Sequence, residues 1–353
     1  MERNRYIRHT LLDQIGENGQ KKLSAAHIVL IGCGGLGSIA APYLAGAGVG
    51  KITLVDADKP HVSNLHRQVF FDVSSMTQTK SQALADHIKI LNPTIEVIVK
   101  EQMASKKNIE EIIKGATVVL ECTDNIQTKY LVNDYCHIHN IPLVYGAIYK
   151  YDGYVSLFAN VGKESIHLRD IFGTPNEDIP TCSEVGVMGT LAGLIGLMQA
   201  NEAIKYITDA GQVLIDQLLT YNILDNTQMK LKLKKSYKND ISAIYQVSSY
   251  QSKSMCDITE ITLEELQSER SKYDLISILE DYEHKDIDNN VKHVPLSTIH
   301  PEELVEDLEG PTVFYCMTGK RSIGLVRMIR EIDSSVEVYS LKNGLKKLWR
   351  LYV

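Results

Sequence analysis

The chain has 353 residues, more than one hydrophobic core usually supports, so two domains are expected. Hydrophobic residues make up 44%, enough to build real cores, and the formal net charge of −7 argues against a general nucleic-acid-binding surface. The most apolar run, Val185 to Met198, is glycine-rich and shorter than the roughly 20 residues a bilayer crossing needs. It reads as a buried helix. The opening Met1-Glu2-Arg3-Asn4-Arg5-Tyr6 lacks an apolar core behind its charges, so no secretory signal is visible and a cytoplasmic location is expected.

His27-Ile28-Val29-Leu30-Ile31 is a β-branched strand signal ending in Gly32-Cys33-Gly34-Gly35-Leu36-Gly37. Ser38 to Ala47 reads as a small-residue helix, and Lys51 to Val55 as a second strand ending at Asp56. The alternation continues through helix Lys80–Leu91, strand Ile95–Val99, helix Ile109–Lys114, strand Thr117–Leu120, helix Asn125–His139 and strand Leu143–Tyr145. Such alternation predicts an α/β fold with a doubly wound, mostly parallel sheet. Gly153–Ala159 and Gln228–Leu233 are expected as antiparallel additions. The apolar period then fails across 236–257, which reads as a linker between an N-terminal domain, 1–235, and a C-terminal domain, 258–353. The latter is a smaller α/β unit with helix Leu263–Glu269, strands Leu275–Leu279 and Thr312–Tyr315, helix Ser322–Ile332 and strand Val336–Tyr339.

The Gly32-x-Gly34-x-x-Gly37 loop between strand and helix predicts only that phosphates approach backbone at a helix N-terminus, and Asp56 suits ribose hydroxyls. On those features alone an NAD dehydrogenase leads. Asp58, Ser63, Asn64, Arg67, Gln68, Lys80, Asp124 and Asn125 shift the reading, because hydride transfer needs no such collection of cations and carboxylates around phosphates. Attack of a carboxylate on an α-phosphate does, since negative charge builds on the phosphoryl oxygens and the departing pyrophosphate.

Arg5-Tyr6-x-Arg8-His9, the glycine loop, Asp56-x-Asp58, Ser63-Asn64-Leu65-x-Arg67-Gln68, Cys122-Thr123-Asp124-Asn125 and Cys182-x-x-x-Gly186-Val187 together resemble the ThiF/MoeB/HesA family, bacterial relatives of ubiquitin-activating enzymes. The resemblance runs from about residue 3 to about residue 235 and implies a Rossmann-like fold. It also implies adenylation of the Gly-Gly carboxylate of a small ubiquitin-fold sulfur carrier, with ATP on Gly35, Asp56, Ser63, Asn64, Arg67, Lys80, Asp124 and Asn125 and Mg²⁺ on Asp124. It further implies a homodimer in which Arg8 reaches the neighbouring protomer's phosphates; the charge balance and the short apolar run already argue against a nucleic-acid or membrane partner. Adenylation of a peptide or small molecule, and a non-catalytic scaffold of the same fold, are the alternatives.

Six cysteines occur and none forms a CxxC pair. Cys33, Cys122 and Cys136 sit in or beside apolar segments and read as small buried residues. In the family, the residue matching Cys182 is linked to thioester or acyl-disulfide chemistry, against a structural thiol at a helix start. Cys316-Met317-Thr318-Gly319-Lys320-Arg321-Ser322 resembles the active-site loop of rhodanese-like sulfurtransferases, with Val294-Pro295-Leu296 and Leu341-Lys342-Asn343-Gly344 through Trp349 in moderate agreement. That resemblance implies a persulfide on Cys316 fed by a cysteine desulfurase. Ser277-Ile278-Leu279 stands where such domains usually carry Asp-Val-Arg. Many activating-family members hold zinc with two CxxC pairs; Glu164–Asp170 and Ser236–Asn239 stand there instead, so no structural zinc is expected.

Overall fold

Val29 and Ile31 face one side of their strand and Ile28 and Leu30 the other, and each pair is buried in a different apolar cluster. A strand buried on both faces belongs in the middle of a parallel sheet with helices on either side. The computed structural model describes residues 5–175, 186–250, 260–283, 291–308, 310–333 and 336–345. Its chain divides into two units, Met1–Ser252 and Lys253–Val353. Among the described residues no helix is long and apolar enough to cross a membrane.

The first unit contains α1 (Ile7–Thr10), α2 (Gly16–Ala25), β1 (His27–Ile31), α3 (Gly37–Ala47), β2 (Lys51–Val55), α4 (Lys80–Leu91), β3 (Glu96–Lys100), α5 (Ile109–Ile113), β4 (Val118–Glu121) and α6 (Ile126–Ile138). It continues with β5 (Leu143–Tyr149), β6 (Asp152–Phe158), α7 (Leu168–Phe172), α8 (Gly189–Thr208), β7 (Gln217–Asn222), β8 (Gln228–Lys232) and α9 (Ile241–Val247). The sheet order is β3-β2-β1-β4-β5-β6-β7-β8, parallel as far as β5 and antiparallel beyond it. Chain order therefore reverses between β1 and β4, and ligands bind at such a switch point, outside the carboxyl ends of the strands. The expected doubly wound sheet with antiparallel additions is present. Strand β7 was not foreseen, and the apolar helix is α8, which starts and ends later than Val185–Met198 suggests.

Residues 236–257 do not behave as a linker throughout. Tyr245 packs on Tyr135 with ring centroids 6.2 Å apart, Ile241 is buried, and the Tyr250 hydroxyl donates to Asp134. The apolar side chains of 241–250 are spaced for one short helix, too brief for its period to stand out from polar neighbours.

The segments that replace the two CxxC pairs meet through Asp170. Its carboxylate accepts from the backbone N–H groups of Ser236 and Tyr237, both at 2.8 Å, and from that of His167 at 3.0 Å. Beside it, Arg169 makes a two-pronged pair with Asp134 at 3.0 and 2.6 Å. His167 is buried, and its Nε2 lies 3.6 Å from Asp170 Oδ2, beyond hydrogen-bond length. Burial pushes the His167 pKa well below its ordinary 6.5, outweighing the attraction of Asp170. The unfolded chain thus takes up a proton below pH 6.5 that the folded chain refuses. Stability should be at full strength above that pH and fall by about 1 kcal/mol per pH unit below it. Thermal melting between pH 7.5 and 5 should show this slope, reduced in His167→Asn, whose side chain can still cap α7.

The second unit holds β9 (Glu260–Ile261), α10 (Leu263–Ser268), β10 (Asp274–Ser277), β11 (Lys292–His293), α11 (Pro301–Glu306), β12 (Thr312–Tyr315), α12 (Lys320–Ile332) and β13 (Val338–Leu341). Its all-parallel sheet runs β11-β10-β12-β13-β9. Phe314 and Cys316 face one apolar cluster, Val313 and Tyr315 the other.

Candidate functional site

At the end of β1 the chain turns at Gly32 with φ +93°, and a Cβ there would come within 2.9 Å of the Cys122 carbonyl carbon and the Thr123 nitrogen. The ends of β1 and β4 therefore touch at the switch point. Gly37 starts α3 so close to the sheet that a Cβ would lie 2.0 Å from the Gly32 oxygen. Its place is to let the helix N-terminus approach, and it does not line the cavity described next.

Above these strand ends lies a cavity of about 570 Å³. Gly32, Gly34, Gly35, Asp56, Asp58, Asn64, Arg67, Gln68, Lys80, Asp124 and Asn125 all line it, so residues spread over 94 positions of chain (32 to 125) converge on one hollow. Asp56 is set at the end of β2 by two backbone donors, Cys33 N–H and Asp58 N–H, each at 2.8 Å. Burial pushes its carboxyl up, and nearby Lys80 pulls against that. Lys80 opens α4 behind its Thr79 cap, and its Nζ lies 3.1 Å from Asp58 Oδ2. The Asn64 carbonyl accepts from the N–H groups of Arg67 and Gln68, both at 3.0 Å, which folds that segment over the glycine loop. Gln68 is 3% exposed and its Oε1 has no partner among the described residues, an orphaned buried acceptor on the cavity wall that fits a donor group bound there. Asp124 is exposed, lines the cavity and makes no hydrogen bond to a described residue, whereas Asn125 uses its Oδ1 to cap α6 at Thr128 N, 2.8 Å away.

Besides Gly37, two expected residues sit elsewhere and one cannot be placed. Ser63 does not line the cavity; its backbone oxygen instead accepts from Arg67 Nη1 at 3.0 Å and so orients that arginine. Arg8 is exposed on α1 and away from this cavity. Cys182 falls outside the described residues, as does Trp349. Cys33, Cys122 and Cys136 are buried, as their apolar neighbours implied.

Sequence reasoning missed Lys129 of α6, Tyr145 and Tyr149 of β5 and Phe172 of α7, which complete the wall. It also missed Glu121, fully buried at the end of β4 and paired with Lys129. A signal was present: a glutamate closing the apolar run Val118-Val119-Leu120 needs a buried partner, and Lys129 lies on the helix that follows.

In the second unit Cys316 directly follows β12 with its side chain buried. Burial alone would push its thiol up. Hydrogen bonds from the Ser322, Thr318 and Arg321 backbone and the Ser322 hydroxyl outweigh it, and the pKa lies below the ordinary value. Leu345 N–H donates to the Cys316 oxygen at 3.0 Å, so the Leu341–Gly344 turn braces the loop. Arg321 is gripped by both oxygens of Glu283, at 2.7 and 2.9 Å. The loop thus has an acidic anchor although Ser277-Ile278-Leu279 replaces the usual charged triplet.

The model of the ThiF family matches residues 6–242. A "Probable adenylyltransferase/sulfurtransferase MoeZ" of Mycobacterium tuberculosis is 30% identical over 97% of this chain and 91% of its own length. A "Sulfur carrier protein adenylyltransferase" of Thermus thermophilus is 35% identical over 67% of this chain and 89% of its own. Among solved structures, E. coli MccB with MccA-N7isoASN superimposes with a TM-score of 0.59 at 19% identity, covering 67% of this chain and 73% of that one, a likeness of fold. The cavity at the switch point, its glycine loop and these matches agree: the chain belongs to the ThiF family.

Proposed function

We propose that the first unit adenylates the C-terminal carboxylate of a small ubiquitin-fold sulfur carrier with ATP, and that the second unit carries the sulfur that replaces the adenylate. The observation that supports this most is the convergence of Asp56, Arg67, Gln68, Lys80 and Asp124 on one cavity at the switch point. Asp56 holds the ribose hydroxyls, the glycine loop and the N-terminus of α3 meet the phosphates, and Arg67 and Lys80 balance the charge. Asn64, Gln68 and Asn125 supply neutral contacts to the nucleotide. The exposed Asp124 carboxylate fits a divalent cation, which when bound would screen the departing pyrophosphate. A flexible diglycine tail lies along the aromatic β5 wall, where larger side chains would collide. Its carboxylate oxygen bonds to the α-phosphorus as the bond to the bridging oxygen breaks.

Cys316 holds a persulfide, loaded by a cysteine desulfurase, and the terminal sulfur bonds to the acyl carbon as AMP leaves. A second thiol, with Cys182 the candidate, releases the thiocarboxylate by disulfide exchange. The active form is a cytoplasmic homodimer; an apolar hollow lined by His9, Pro42, Tyr43, Phe70, Leu91 and Leu197, beside Arg8, supports a second copy there.

Exchange of labelled pyrophosphate into ATP tests this. It should require Mg²⁺ and a carrier ending in Gly-Gly and vanish when that tail is removed. Exchange with short free peptides but with no folded carrier would overturn the substrate assignment.

A further inference from the structure

Asp124 makes no hydrogen bond to a described residue, so its neighbours must set its position. On one side Thr123 gives both its N–H (2.9 Å) and its hydroxyl to Glu121 Oε1. On the other, Asn125 caps α6. Glu121 is 0% exposed, and its other oxygen meets Nζ of Lys129, itself 11% exposed. The same Nζ donates to the Gly146 oxygen at 3.0 Å, and Gly146 lies in β5 between Tyr145 and Ala147 of the cavity wall. The backbone of Glu121 is held too, its oxygen accepting from Gln199 Nε2 at 2.8 Å.

We propose that Lys129 and Glu121 are positioning residues for adenylation, the pair holding the Thr123–Asn125 turn, and with it Asp124, in register with the β5 wall. The proposal rests on the adenylation reading above. Burial favours the neutral form of Glu121, and Lys129 opposes this most strongly. Without the lysine, Glu121 Oε2 would lose its buried partner and the tie from Glu121 through Nζ to Gly146 of β5 would be cut, so the carboxyl that holds Thr123 through Oε1 would no longer be fixed against the wall and the turn would loosen.

The full chain should be compared as wild type, Lys129→Met, Lys129→Arg and the double variant E121Q/K129M. Manganese affinity is read by electron paramagnetic resonance in the presence of a non-hydrolysable ATP analogue. Carrier-dependent exchange gives kcat and KM, and thermal melting reports stability. Lys129→Met should weaken Mn²⁺ binding about tenfold and lower kcat on the order of 10²-fold, with the carrier KM little changed. Lys129→Arg should recover most of both. The double variant leaves no buried charge unpaired, so it folds if the single one does not, and it should still bind Mn²⁺ weakly.

A purely structural pair would lower melting temperature alone; wild-type Mn²⁺ affinity and kcat in Lys129→Met, or wild-type Mn²⁺ affinity in the double variant, overturns the proposal. Arginine performing no better than methionine also overturns it. Failure of the wild type to catalyse carrier-dependent exchange would sink the adenylation reading instead, while the Mn²⁺ comparison still decides the positioning role.

Discussion

Asp124→Ala should lose carrier-dependent pyrophosphate exchange by on the order of 10²–10³-fold in kcat/KM, equivalent to about 3–4 kcal/mol of transition-state stabilisation. The size follows from what the carboxylate is proposed to do: hold the cation that meets charge building on the pyrophosphate. Its exposure and lack of a hydrogen bond to any described residue mean that truncation leaves no buried group unsatisfied. Stability should therefore stay within about 0.5 kcal/mol of wild type. Raising Mg²⁺ should recover part of the lost rate. Retention of exchange within a few-fold at low Mg²⁺ would show that the cation is held by other groups.

Cys316→Ser should abolish transfer of sulfur from thiosulfate to cyanide while leaving pyrophosphate exchange at wild-type level. Oxygen in place of sulfur cannot form the persulfide, and the serine hydroxyl stays protonated where the thiol does not. In the wild type the loop lowers the thiol pKa, so the thiolate fraction is already gaining at a pH where an ordinary thiol is neutral. Alkylation of Cys316 by iodoacetamide should accordingly rise with pH to a midpoint below 9, the ordinary value for this thiol. A midpoint at or above that value would show that burial wins over the loop's hydrogen bonds. Equal loss of both activities in Cys316→Ser would remove the division of labour between the two units.

The residues that shape the switch-point cavity were legible where local chain chemistry announces them. Gly32 and Gly37 mark the turn and the close helix approach, Asp56 ends a β-branched strand, and Lys80 follows a threonine that caps a helix. Ser63 stays off the cavity wall because its segment is a compact turn, in which its hydroxyl pairs with His61 Nδ1 at 2.8 Å and its carbonyl accepts from Arg67. The tail of the first unit misled as well: 236–250 is polar in sequence, yet Asp170 and Tyr135 provide the partners that order it.

From the sequence alone came the two α/β units, the glycine loop between the first strand and its helix, and the carboxylates and cations fit for phosphates. These depend on backbone preferences and apolar periods that act within a few residues, so a linear reading reaches them. Tertiary structure alone decided which charges pair: Glu121 with Lys129, Asp134 with Arg169 and Glu283 with Arg321. A buried ion must find its counter-ion in space, and that choice is made by strand order and helix packing, which no local stretch of sequence encodes.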